Sequence, residues 1–136
     1  MTCDNCNNDS VTIDPYDLDT SLAPIIANGL KQHIQLQKED AYASFPDCFN
    51  NEQEWLDVLY EMLYAFDNYD GPNIEDYDVG LEWHETGTTP EGHKQMEITV
   101  KDEQAWTKYK FDCEEHEERI TKGLSLFSRF YRSLWL

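Results

Sequence analysis

Apolar residues recur with two different periods along the chain, and the change of period divides it into elements. Leu22, Ile26, Leu30 and Ile34 lie four apart and place one stripe along a helix. Thr20 or Ser21 can cap that helix, and Pro24 would then fall in its first turn, where a missing N–H costs little. The helix should fade by Glu39 or Asp40, and residues 41–51, which include Pro46, read as a connection. Asn51 is the expected cap of a second helix, with Glu52 and Glu54 at the positive end of its dipole. Trp55, Leu59, Met62, Leu63 and Phe66 form its stripe, and Gly71-Pro72 stops it.

Residues 77–101 switch to alternation. Val79, Leu81 and Trp83 alternate with polar residues, and so do Met96, Ile98 and Val100 after a turn over 86–92. A hairpin with His84 opposite His93, Leu81 facing Met96 and Val79 facing Ile98 has one apolar face. Two strands alone are marginal, so the hairpin is expected to lie on the helices. A long helix then runs from near Asp102 almost to the end. Trp106, Tyr109, Cys113, His116, Ile120, Phe127, Tyr131 and Leu134 form its stripe. Gly123 interrupts that stripe, which points to a kink or to the close approach of another backbone.

The predicted fold is α+β, mostly α: three helices around one core, with a β-hairpin inserted before the long C-terminal helix. Residues 1–19 are expected to be a flexible acidic arm and residues 20–136 a single globular domain. The expected core joins Trp55, Leu59, Met62 and Phe66 to Ile120, Leu124, Phe127 and Leu134.

Composition supports a folded chain, since 40% of its 136 residues are hydrophobic and 13% aromatic. The longest apolar runs fall far short of the ~20 residues that span a bilayer. The N-terminus has neither the basic region nor the apolar core of a signal peptide, so a cytoplasmic location with reduced cysteines is expected. Charge changes the picture more. Residues 1–118 hold all 28 carboxylates and six lysines, net −22, whereas Arg119, Lys122, Arg129 and Arg132 give residues 119–136 a charge of +4. Such a balance disfavours direct binding to nucleic acid or anionic lipid and attracts basic grooves at long range.

Candidate chemistry is sparse. Cys3 and Cys6 form a lone C-x-x-C, half of a four-ligand zinc site, completed only if Cys48 and Cys113, or His84 and His93, come to it. Cys48 and Cys113 read individually as small buried residues. Consecutive acids on a helix point about 100° apart, so Glu114, Glu115, Glu117 and Glu118 do not converge on one ion. His116, on the stripe of the last helix, reads as a core or boundary residue. There is no phosphate-cradling loop, nucleophile elbow or helical H-E-x-x-H. No cofactor and no enzymatic activity are expected.

The pattern Glu54-Trp55, Leu59, Met62-Leu63, Ala65-Phe66, followed by Glu118-Arg119-Ile120, Gly123-Leu124, Leu126-Phe127, Phe130 and Leu134-Trp135, resembles a group of small uncharacterised proteins of tailed bacteriophages. The Leu22/Ile26/Leu30 helix and Phe45-Pro46 fit the same pattern, while the Cys3–Cys6 pair and the hairpin lie outside it. The resemblance implies a phage origin, hence a host-cell cytoplasm, and carries no activity with it.

The functional expectation is a non-enzymatic acidic protein that binds a host or defence protein with a basic groove, inhibiting it by charge mimicry. The expected binding residues are Asp67, Tyr69, Asp70, Glu75, Asp76, Tyr77, Asp78 and Glu82, at a helix end, a turn and one strand, with the tyrosines as anchors between charges. Two alternatives stand beside it. One is a zinc-stabilised or metal-dependent domain using Cys3, Cys6 and histidine. The other is a phage structural protein that self-associates through Phe127, Phe130 and Trp135.

Overall fold

A computed structural model describes residues 13–136. It contains helices α1 (Leu18–Glu39) and α2 (Glu52–Asp67), strands β1 (Leu81–Thr88) and β2 (Lys94–Val100), and helix α3 (Glu103–Phe130), with short 3-10 turns at 15–17, 74–77 and 131–133. The fold is α+β and mostly α, with the hairpin before the long last helix, as the change of period predicts. The described residues divide into two compact units, residues 13–69 with 119–136, and residues 70–118.

In the first unit, α1 begins earlier than expected. The acidic lead is already helical from Pro15, where Asp14 caps a 3-10 turn by accepting from the Tyr16 N–H. Ser21 therefore lies inside α1, its Oγ accepting from the Asp14 N–H at 3.0 Å. Pro24 falls within the body of the helix, not its first turn, and deprives the Thr20 carbonyl of its usual donor. Asn51 caps α2 as predicted, with its side chain accepting from the Glu54 N–H.

The core of this unit joins all three helices. Ala23, Ala27, Leu30 and Ile34 of α1 meet Trp55, Leu56, Leu59, Met62 and Phe66 of α2 and Phe130 of α3. Phe49, Trp55 and Phe130 form an aromatic trio with centroids 5.3–5.6 Å apart. Five of the eight expected core residues are buried, Ile120 among them, while Leu124, Phe127 and Leu134 pack on the core half-buried. Gly123 marks a close approach: a Cβ there would collide with the Ala65 side chain and lie 2.6 Å from the Glu61 carbonyl oxygen.

The second unit contains the hairpin, and here the expected register is corrected. Leu81 pairs with Val100, Trp83 with Ile98, His84 with Glu97 and Glu85 with Met96, with a bulge between Glu85 and Gly87. The strands extend further into the turn than expected, so the reversal is confined to residues 89–93 and the whole ladder moves. Val79 lies before β1, where it is buried and its carbonyl accepts from the Asp102 N–H. Asp102 caps α3, its Oδ1 accepting from the N–H groups of Gln104 and Ala105. The apolar face of the hairpin is not covered as expected: Leu81, Trp83, Met96 and Ile98 are all exposed.

Candidate binding surface

The eight expected binding residues fall into both units. Asp67 and Tyr69 belong to the first, where each has a partner. Asp67 pairs with Lys31 at 3.0 Å at the surface, and the Tyr69 hydroxyl donates to the Asp19 carboxylate at 2.8 Å. That hydrogen bond is the main cause of the lowered Asp19 pKa. The Tyr69 ring packs against the core.

The other six belong to the second unit. Asp70 is exposed, Glu75 and Asp76 lie exposed on the 3-10 turn capped by Asn73, and Asp78 closes that turn in the left-handed conformation at φ 50°. Aspartate tolerates this conformation better than most residues. The Tyr77 hydroxyl donates to the Asp112 carboxylate at 2.6 Å, and the Tyr77 ring meets Tyr109 edge-on at 5.1 Å. The bond to Asp112 favours the protonated phenol and pushes the Tyr77 pKa up to about 12. It also lowers the Asp112 pKa, aided by Lys108 at 3.3 Å. Glu82 is drawn to the polar face of the hairpin by Lys101 at 3.0 Å and His84 at 3.6 Å. Both tyrosines expected as anchors thus hold carboxylates of their own unit.

Asp76 and Tyr77 line an open groove of ≈ 610 Å³ with Pro72, Asn73, Asp102, Gln104, Ala105, Lys108 and Asp112. Three carboxylates face one ammonium there. Asp102 and Asp112 are far from the 3-10 turn in sequence, and their participation depends on α3 lying beside it. A second groove is more apolar: Ile74, Leu81, Ile98, Thr99, Val100, Glu103 and Trp106 line a volume of ≈ 580 Å³. The alternation of 81–100 signals the apolar face of the hairpin, which stands exposed instead of lying covered as expected.

Of the groups weighed for metal chemistry, Cys3 and Cys6 lie outside the described residues. His84 faces Glu97, not His93, and bonds Thr99 Oγ1 at 2.9 Å, which corrects the cross-hairpin pair. Cys48 is exposed rather than buried, and Cys113 is half-buried. Among the described residues no three of His, Cys, Asp and Glu are placed to hold a metal ion. No helix among them is long and apolar enough to cross a membrane. Of the residues expected to mediate self-association, Phe130 is taken up by the core and Phe127 packs on Phe66 at 4.8 Å, while Trp135 is exposed. No protein family, curated protein or solved structure matches the chain.

Proposed function

We propose that this chain is a non-enzymatic, phage-encoded acidic protein that binds a basic groove of a host or defence protein and blocks it by imitating nucleic-acid charge. The observation that supports this most directly is the charge of the second unit. Residues 70–118 carry 15 carboxylates against four lysines, net −11, and Asp70, Glu75, Asp76 and Asp78 are exposed. None of these four forms an ion pair among the described residues, so each keeps its full field for a partner. A surface of this kind steers association and sets specificity against basic patches.

The test starts with a partner captured from phage-infected cells and titrated with the purified protein. Affinity should fall steeply between low and physiological ionic strength, and duplex DNA should compete. A variant combining Asp70→Asn, Glu75→Gln, Asp76→Asn and Asp78→Asn should lose binding at about 0.15 M salt. Full-strength binding by that variant while folded, or affinity indifferent to salt, would overturn the proposal.

A further inference from the structure

We propose that the apolar face of the β1–β2 hairpin is the docking site for a cationic amphipathic helix of the protein partner, an inference that rests on the binding reading above and names the partner's chemistry. The register puts Leu81, Trp83, Met96, Ile98 and Val100 on one face. Trp83 is 63% exposed and Ile98 49%, and the ≈ 580 Å³ groove beside them is walled by Ile74 and Trp106. A contiguous apolar surface of this kind on a highly charged chain is characteristic of an interaction site. Two strands about 4.8 Å apart offer a platform about as wide as one helix, roughly 10 Å across. A two-stranded sheet is marginal until something packs on its face, so an occupant would also stabilise the hairpin.

Charge selects the occupant. Glu85 stands on the apolar face opposite Met96, and Glu103 lines the groove. Both lie within a unit of net charge −11, which repels a second copy of itself and attracts lysine and arginine flanking an apolar stripe. Residues 1–12 contain two aspartates and neither lysine nor arginine, so their chemistry does not complement this rim.

The test uses the full chain and three synthetic peptides of about 18 residues, five helical turns. One is an amphipathic Leu/Lys helix, one a Ser/Lys peptide of equal charge, and one a Leu/Glu helix. Tryptophan fluorescence and amide chemical shifts report binding. The Leu/Lys peptide should bind, shift Trp83, Ile98 and Trp106, and outcompete the Ser/Lys peptide, while the Leu/Glu helix should not bind. Trp83→Thr and Ile98→Thr keep β-forming residues in the strands and should each weaken Leu/Lys binding roughly tenfold without changing Ser/Lys binding. If one variant unfolds the hairpin, the other carries the test. Glu85→Gln with Glu103→Gln should weaken the Leu/Lys peptide and reduce its salt dependence. Equal binding of the Leu/Lys and Ser/Lys peptides would overturn the apolar docking site and leave the charge-mimic reading intact. Binding of the Leu/Glu helix as tight as that of the Leu/Lys helix would overturn the cationic occupant. A concentration-dependent dimer lost in Trp83→Thr would assign the face to a second copy and overturn the proposal.

Discussion

Tyr77 and Asp112 show how one hydrogen bond can shift two titrations in opposite directions. The phenol donates to the carboxylate, so the bond requires a protonated tyrosine and an ionised aspartate. Asp112, with its pKa lowered, adds stability above the ordinary carboxylate value of about 3.9 and loses it as pH falls through the lowered one. Tyr77, with its pKa raised, adds stability below about 10 and loses it as pH rises through about 12. Between those limits the pair is intact. In Tyr77→Phe, the Asp112 carboxyl should titrate at higher pH, short of the ordinary value because Lys108 remains beside it. Carboxyl carbon NMR measures this directly, and an unmoved Asp112 titration would contradict the assignment. Tyr69→Phe should raise the Asp19 pKa for the same reason.

At the scale of elements, the three helices of the first unit do not contribute equally to its core. Leu59 is fully buried, so Leu59→Ala should cost about 2–5 kcal/mol in the urea midpoint. Leu124 is half-buried on α3, and its truncation should cost less, about 1 kcal/mol. Equal losses at the two positions would show that α3 buries its stripe as deeply as α2. Gly123 tests the α2–α3 approach from the opposite direction. Alanine there gains about 1 kcal/mol in helix propensity but must displace Ala65 or the Glu61 carbonyl, and overpacking of this kind costs about 1–3 kcal/mol. The contact with backbone decides the sign, so Gly123→Ala should lower the midpoint. A raised midpoint would show that the helices have room to separate.

For the whole molecule, a formal charge of −18 outweighs the few exposed ion pairs. Each such pair contributes little, while self-repulsion acts across the surface. Raising NaCl from about 10 mM to about 500 mM should therefore raise the melting temperature by screening that repulsion. A falling melting temperature would show that attractive pairs dominate. If the proposed charge-mimic function holds, the −11 of residues 70–118 makes the second unit the part whose binding should respond most to salt.

Hydrophobic period, cap residues and charge are properties of local sequence, and these settled the class of fold, both later helix starts and the acidic bias. Asn51 could be read as a cap because a cap satisfies N–H groups two or three residues away. Asp102 marks only the approximate start of α3 in the sequence, and its capping bonds emerge from the structure. The period of two likewise identified the apolar face of the hairpin. From Leu81 to Glu85 the true register differs from the expected one by four residues, an even step that keeps Leu81, Trp83, Met96, Ile98 and Val100 on that face. Tertiary packing decided the rest. Whether the face was covered depended on what lay against it, which alternation cannot encode. Gln37 is buried in α1, giving its amide to the Ser44 carbonyl at 3.3 Å, because the α1–α2 connection folds over it. Asp112 joins Tyr77 across 35 residues, and Phe130 is buried against both Phe49 and Trp55. Each of these depends on distances between segments far apart in the chain, and those distances exist only once the elements have packed.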